Sequence, residues 1–286
     1  MPDPGHGRTG TLRTVVIDGH PVAYWRRGPL REGRTLVMLH GLGGDHTGLL
    51  ALAERLRGVQ VVAPDLPGYG ASPALPVKHT LHEYGRVVDG LRERLGLARF
   101  ALLGHSFGAD VALAYAHDHP DAVTDLCLLN PVVDTSGVAS RLGVLFTRVS
   151  SVLPPSLARA LLTNRAVAYL QDRPSLATRD RGTRRRILRQ DYISLRKADP
   201  RAIHESARSL QEVPFDRYAR TVRARTLVLT GSRDRIARPG ALARVHWPRP
   251  TTRVTVAPGA GHLLPVEQPG LASAHVNRFL DSSRRR

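Results

Sequence analysis

Gly104-His105-Ser106-Phe107-Gly108 is the most informative motif of this sequence. It directly follows Phe100–Leu103, a short apolar run that predicts a buried strand, and it opens a segment with the apolar spacing of a helix. The pattern G-x-S-x-G at such a junction predicts a sharp turn that lifts the serine hydroxyl above a sheet. Because the backbone is crowded there, only small residues fit two positions either side of the serine. Ser106 is therefore the candidate nucleophile.

Short apolar runs alternate with helix-like segments on both sides of this turn. Runs that predict strands lie at Thr14–Ile17, Val22–Trp25, Thr35–Leu39, Val59–Ala63, Phe100–Leu103, Leu126–Leu129, Thr226–Thr230 and Arg253–Val256, and helical spacing is found at Leu49–Arg57, Leu81–Leu95, Phe107–His119, Gly240–Val245 and Leu271–Leu280. Asp18-Gly19 separates the first two runs and predicts a β-hairpin turn. The alternation predicts an α/β protein with a mainly parallel sheet covered by helices on both faces.

Residues 134–212 interrupt this alternation. They contain no run that predicts a strand, and prolines divide them into helix-like pieces. We predict that they form an inserted helical cap (a lid), and that residues 1–133 and 213–286 form the core domain. The insertion carries 15 basic residues against seven acidic ones. Its apolar stretches Leu142–Phe146 and Leu157–Tyr169 either pack on the core or line a pocket, two alternatives that stay open.

The glycine-rich loop His40-Gly41-Leu42-Gly43-Gly44 directly follows the predicted strand Thr35–Leu39. Attack of a serine on an acyl carbon creates an oxyanion, which backbone N–H groups can stabilise. One donor follows the nucleophile in sequence, and the other comes from a loop at a neighbouring strand end. We therefore predict that the N–H groups of Leu42 and Phe107 form an oxyanion hole.

A carboxylate and an imidazole follow two later strands of the predicted sheet. Asp234 ends the stretch Gly231-Ser232-Arg233-Asp234, and His262 ends Gly259-Ala260-Gly261-His262. A carboxylate at a strand end can orient the imidazole that takes the serine proton and can stabilise its charged form. The order Ser106, Asp234, His262 along the chain is the order expected when the nucleophile lies in a G-x-S-x-G turn. Asp134, just beyond the run Leu126–Leu129, is the alternative acid, and we favour Asp234.

Taken together, these motifs and the stretch Asp65-Leu66-Pro67-Gly68-Tyr69-Gly70-Ala71-Ser72 resemble the α/β-hydrolase fold family with a helical cap domain. The resemblance runs from about residue 14 to 282 and is weakest across the cap. It implies an eight-stranded, mainly parallel sheet with helices on both faces. It also implies a serine hydrolase that uses Ser106, His262 and Asp234 as a catalytic triad, and an acyl-enzyme intermediate.

The resemblance favours a carboxylic ester as the substrate and leaves alternatives open. Similar dehalogenases and epoxide hydrolases use an aspartate nucleophile, so Ser106 argues against those two chemistries. An acyl thioesterase or a hydrolase of carbon–carbon bonds in ring-cleavage products could use the same triad, although His105 and Gly43-Gly44 depart from the latter's usual pattern. Outside enzymes, a ligand-binding receptor on this fold is the alternative.

The chain has 286 residues, and its net charge of +18 is unusually high. The rest of its composition is ordinary for a globular protein. Of the 42 basic residues, 40 are arginine, which we interpret as compositional background, and runs such as Arg184–Arg186 and Arg284–Arg286 are short. We therefore expect a small-molecule acyl substrate and no nucleic-acid partner. An anionic substrate, or peripheral contact with an anionic surface, stays open, as does the oligomeric state.

Neither a cofactor nor a metal is expected. His117 and His119 are two residues apart on a predicted helix and so point to different faces. Cys127 is the only cysteine and lies in an apolar run, so we expect a buried, unreactive thiol. No stretch approaches the about 18 uninterrupted apolar residues that would span a membrane, and the first residues lack an apolar signal core. A soluble, cytoplasmic protein is the expectation.

Overall fold

A computed structural model of the chain describes residues 10–30, 34–134, 152–162, 164–172, 175–212, 214–248 and 250–283. Eight strands form one sheet: β1 (Thr11–Ile17), β2 (His20–Arg27), β3 (Thr35–Leu39), β4 (Gln60–Pro64), β5 (Phe100–His105), β6 (Val123–Leu129), β7 (Arg225–Gly231) and β8 (Thr252–Ala257). Their order across the sheet is β1-β2-β4-β3-β5-β6-β7-β8. The first two strands pair antiparallel with their neighbours, and the other six run parallel. The predicted α/β fold is confirmed.

Helices connect the strands. In the described part of the chain they are α1 (Thr47–Ala53), α2 (Leu81–Arg94), α3 (Phe107–Asp118), α4 (Pro155–Leu162), α5 (Arg165–Asp172), α6 (Arg181–Lys197), α7 (Pro200–Glu212), α8 (Phe215–Thr221), α9 (Pro239–Leu242), α10 (Leu264–Glu267) and α11 (Pro269–Ser283). Helix α1 ends four residues before the predicted Arg57. The buried guanidinium of Arg27 donates hydrogen bonds to the carbonyl oxygens of Ala53 and Leu56, and so satisfies the groups exposed where the helix ends.

The sheet separates two apolar clusters, and side chains alternate between them along each central strand. On β5, Phe100 and Leu102 join the cluster beneath α2 and α3, whereas Ala101 and Leu103 join the cluster beneath α1 and α11. Because both faces are covered, central strands carry apolar residues at every position. Cys127 of β6 is fully buried in the second cluster, and burial raises the pKa of its thiol.

The segment between β6 and β7 contains helices α4 to α8, with no strand among its described residues. The apolar stretch Leu142–Phe146 lies outside the described residues. Ala202 and Ile203 of helix α7 join the large cluster beneath α2 and α3, as do Phe215 and Ala219 of α8. Part of the predicted insertion therefore packs into the core of the sheet domain.

Candidate active site

Ser106 occupies the sharp turn between β5 and α3. Its backbone has φ +52° and ψ −124°, a conformation that non-glycine residues rarely adopt. A Cβ added at Gly104 would lie 2.1 Å from the carbonyl oxygen of Gly108, and one at Gly108 would lie 2.5 Å from the carbonyl oxygens of Leu39 and His40. Both glycines of the G-x-S-x-G pattern are therefore required by backbone contact.

His262 lies between Ser106 and Asp234. Its Nε2 atom is 2.8 Å from the Ser106 Oγ, and its Nδ1 atom is 2.8 Å from Oδ2 of Asp234. Because a carboxylate only accepts hydrogen bonds, Nδ1 carries the proton, and Nε2 is left to accept the serine hydroxyl. All three side chains are buried. The three residues selected from the sequence thus meet in one hydrogen-bonded chain.

Four donors surround the carboxylate of Asp234. Oδ1 accepts the backbone N–H groups of Ile236 and Ala237, each at 2.8 Å, and Oδ2 accepts the Asn130 amide at 2.8 Å in addition to His262. Burial alone would raise the pKa of Asp234, but the charge of His262 and these hydrogen bonds hold it below its usual value. The side chain is thereby kept as a carboxylate beside the imidazole.

Asp134, the alternative acid, takes part in different contacts. Its Oδ2 atom forms ion pairs with Arg238 at 2.9 Å and with Arg244 at 3.7 Å. The Nδ1 hydrogen bond of His262 goes to Asp234 instead.

The 40–44 loop lies against the serine turn. A Cβ added at Gly41 would be 3.3 Å from the Cβ of Ser106. Gly43 has φ +75°, and the N–H of Gly44 donates to the Gly41 carbonyl at 3.1 Å, so the loop turns tightly around Leu42. Within the described residues, neither Leu42 N–H nor Phe107 N–H donates to a protein acceptor. Both are thus available for an oxygen of a ligand.

His40 fixes the start of this loop. Its Nδ1–H donates to the Gly41 carbonyl at 2.8 Å, and its Nε2 accepts the N–H of Leu66 at 2.9 Å. Burial lowers the pKa of His40, so the ring is neutral, as these two opposite roles require. Asp65 extends the connection by accepting the backbone N–H groups of His46 and Ala71. These contacts join the 40–44 loop to the 65–72 stretch.

His105, which precedes the serine, connects the turn to the loop of His262. Its Nε2–H donates to the carbonyl oxygen of His262 at 2.8 Å. Burial, together with the charge of His262, lowers the pKa of His105 to about 4, so the ring is neutral near pH 7. A second positive charge beside His262 is thereby avoided.

The segment before α6 contacts the His262 loop from the other side. The Ser175 carbonyl accepts the N–H of His262 at 2.9 Å. Glu267 joins the two segments, because Oε1 accepts Ala177 N–H at 2.7 Å and Oε2 accepts Gly261 N–H at 3.0 Å. The segment of residues 175–177 therefore helps to hold the imidazole in place.

Helix α6 covers the 40–44 loop and the residues that follow it. The Leu195 side chain approaches Gly43 closely, with Cδ1 at 3.3 Å from a Cβ placed there. Gln190 donates to Thr47 Oγ1 at 2.7 Å, and Lys197 pairs with buried Asp45 at 3.3 Å. One side of α6 is thus fixed over the serine end of the sheet.

Sequence reasoning selected the residues at strand ends but missed the side chains that position them. Asn130, His105 and Glu267 were not among the candidates. Asn130 had a visible signal, since it is a polar residue at the end of the buried strand β6. Glu267 had none, because its partner Ala177 is 90 positions away and no local pattern marks its contact with Gly261.

Comparison with known proteins assigns the chain to a family. Residues 34–269 match the sequence model of the alpha/beta hydrolase fold. The chain belongs to the α/β-hydrolase fold family.

Individual relatives are more distant. The uncharacterized protein Rv2715 of Mycobacterium tuberculosis is 31% identical over 53% of this chain, and Lipase LipV of the same organism is 34% identical over 43% of it. The matches span only 42% and 45% of those two proteins. Among solved structures, a bacterial membrane phospholipase A superposes with a TM-score of 0.77 at 25% identity, covering 96% of this chain and 87% of that one.

Two further features bear on ligands and location. The described residues include no group of three or more His, Cys, Asp or Glu side chains arranged to hold a metal ion. Among the same residues, every helix is too short or too polar to cross a membrane.

Proposed function

We propose that the protein is a serine hydrolase that cleaves carboxylic esters through an acyl-enzyme. The observation that carries the proposal is the hydrogen-bonded chain from Ser106 through His262 to Asp234, with both distances at 2.8 Å, at a strained strand-to-helix turn. The names of two similar proteins, a lipase and a phospholipase A, support ester hydrolysis.

The first half of the reaction forms the acyl-enzyme. His262 Nε2 takes the Ser106 hydroxyl proton while Oγ forms a bond to the acyl carbon. The N–H groups of Leu42 and Phe107 stabilise the oxyanion. Collapse of the tetrahedral intermediate breaks the carbon–oxygen bond, and His262 returns the proton to the departing alcohol.

The second half regenerates the serine. His262 removes a proton from water, which attacks the acyl carbon. The bond to Ser106 Oγ breaks, the acid is released and the serine recovers its proton. Asp234 holds the imidazole in the required tautomer throughout and stabilises its charged form.

A fluorophosphonate probe and p-nitrophenyl esters of increasing chain length test this proposal. The folded protein should be labelled, and Ser106→Ala should abolish labelling and lower kcat on the order of 10⁶-fold. The matched control is Ser232→Ala, which replaces a serine outside the proposed triad. The probe should still label this variant. Absence of labelling in the folded protein would contradict a serine nucleophile. Thioesters and ring-cleavage diketones in the same panel determine which acyl bond is preferred.

Two asparagine substitutions test the assignment of the acid. Asp234→Asn should lower kcat on the order of 10⁴-fold, because the wrong imidazole tautomer is then favoured. Asp134→Asn should leave kcat within a few-fold of the parent enzyme, since Asp134 pairs with Arg238. A larger loss with Asp134→Asn than with Asp234→Asn would show that the acid is misassigned.

A further inference from the structure

Helix α6 presents two chemically different sides. Its inner side carries Gln190 and Leu195, which contact Thr47 and the 40–44 loop. Ile187 and Ser194 are also buried. The outer side is exposed to solvent and takes no part in the arrangement around Ser106. Any role of the outer side therefore concerns something outside the molecule.

The outer side of α6 is strongly basic. Arg181, Arg185, Arg189, Ile193 and Arg196 are all exposed, and their spacing of three to four residues places them along one face. The helix has seven basic residues and one acidic residue, which gives a net charge of +6 over 17 residues. In the described part of the chain, neither Arg185 nor Arg189 has a carboxylate within ion-pair distance.

Exposed apolar side chains lie among these arginines. Ile193 is 39% exposed on α6, Tyr169 is 46% exposed on α5 and Leu157 is 55% exposed on α4. The three helices adjoin one another. Arg184 lies over the ring of Tyr169 at 5.7 Å, and Arg159 of α4 donates to the carbonyl oxygen of Arg196 at 3.4 Å.

We propose that this outer cap face, formed by Leu157, Tyr169, Ile193 and the exposed arginines of α6, docks onto a lipid surface with anionic headgroups. Arginines near such a surface each contribute to attraction, and apolar side chains between them can enter the boundary of the acyl chains. The exposed arginines of a helix whose net charge is +6 are complementary to an extended anionic surface.

Two alternatives fit the outer cap face less well. A free anionic substrate would be bound on the inner side of α6, near Ser106, whereas the arginines of the outer cap face are exposed to solvent. A nucleic acid would neutralise the arginines but would leave Ile193 and Leu157 without an apolar environment. Lipid satisfies both kinds of side chain at once.

Docking in this orientation places the serine end of the sheet next to the lipid. An acyl substrate could then be taken from the surface on which the enzyme sits, a consequence that rests on the proposed ester hydrolysis. Binding itself does not depend on activity and is tested separately, in the parent protein and in Ser106→Ala.

Sedimentation with phosphatidylcholine vesicles, with and without phosphatidylglycerol, tests the docking. The protein should bind only the vesicles with phosphatidylglycerol and should dissociate at high salt. Arg185→Gln with Arg189→Gln should weaken binding about 30-fold, from the usual contribution of a surface arginine. The matched control is Arg94→Gln with Arg99→Gln, which removes the same charge near the amino end of β5, at the end of the sheet opposite Ser106, and should leave binding nearly unchanged.

The apolar contribution has its own matched pair. Ile193→Ser should weaken vesicle binding several-fold. Val16→Ser, at a residue 51% exposed on β1, should not change it. Hydrolysis of a water-soluble ester without vesicles should be the same in all four variants, which separates failure of docking from failure of the proposed function.

Three outcomes would overturn the docking proposal. The first is an absence of binding to phosphatidylglycerol vesicles. The second is equal weakening by the two arginine pairs, which would reflect overall net charge. The third is tighter binding to duplex DNA than to vesicles, with no effect of Ile193→Ser. If thermal unfolding shows that the arginine variant is not folded, the comparison of Ile193→Ser with Val16→Ser decides whether the docking proposal stands.

Discussion

At the scale of single residues, His105 makes the stability of the fold depend on pH. Its pKa is lowered to about 4 in the folded protein, whereas an unfolded chain has an ordinary histidine near 6.5. Between these values the unfolded state binds a proton that the folded state does not. Stability is therefore fully present above about pH 6.5 and is lost as the pH falls towards 4.

His105→Gln should remove this dependence, because glutamine does not titrate. Urea unfolding at a series of pH values should show the free energy of unfolding of the parent protein falling more steeply than that of the variant. The difference between the two should change by about 3 kcal/mol from pH 7 to pH 4. Parallel curves would mean that His105 titrates normally in the folded protein.

Asn130 illustrates the limit of what residue-level sequence reasoning can find. Ser106, Asp234 and His262 could be selected because their types and their places after predicted strands narrow the choice. The amide of Asn130 donates to Asp234 at 2.8 Å and to the Gly261 carbonyl at 3.2 Å. Both contacts join residues more than 100 positions apart, and no local pattern specifies such a pairing.

At the scale of elements, the turn between β5 and α3 is the most constrained part of the chain. Gly104→Ala should destabilise the protein by several kcal/mol, because the new methyl group would meet the backbone of Gly108 at 2.1 Å. The matched control is Gly85→Ala in α2, where nothing lies within 4 Å of the added Cβ. That change should stabilise the protein by about 0.5–1 kcal/mol.

Thermal unfolding of both glycine variants checks the comparison. Similar midpoints for Gly104→Ala and the parent protein would show that the turn can relax, contrary to the close backbone contact. Soluble expression of Gly85→Ala provides the reference if Gly104→Ala does not accumulate.

Strands were easier to predict than helix ends. Every predicted run overlaps an observed strand. The central strands are the clearest, because a strand buried on both faces needs a continuous apolar run. Helix α1, in contrast, ends where Arg27 of β2 caps its carbonyl groups. That contact depends on the packing of the sheet, which the spacing within residues 49–57 does not contain.

At the scale of the whole molecule, the division into core and cap is our proposal, and helix α7 belongs energetically with the core. Tyr69 donates to Ser206 at 3.0 Å, Leu81 N–H donates to Ser209 at 3.0 Å, and Glu205 accepts from His79 at 2.8 Å. The polar spacing of α7 could not reveal these partners from the sequence, since they lie in the 65–84 region.

Hydrogen exchange should therefore divide the predicted insertion into two parts. Backbone amides of α7 should exchange as slowly as those of α3, whereas those of α5 should exchange orders of magnitude faster. Ser206→Ala should accelerate exchange in α7 specifically, because the hydroxyls of Tyr69 and Tyr84 lose the partner that they share on this helix. Uniform exchange across residues 152–212 would contradict the division.

The burial of Cys127 makes the natural chain a ready background for spectroscopy. The thiol of Cys127 is the only one in the chain, it is buried in β6 and its pKa is raised. Maleimide reagents should therefore not modify it in the folded state. A cysteine introduced at an exposed position would then be the single reactive site. With Ile193→Cys, an environment-sensitive fluorophore on α6 would report in real time when that helix leaves water, with no other residue replaced.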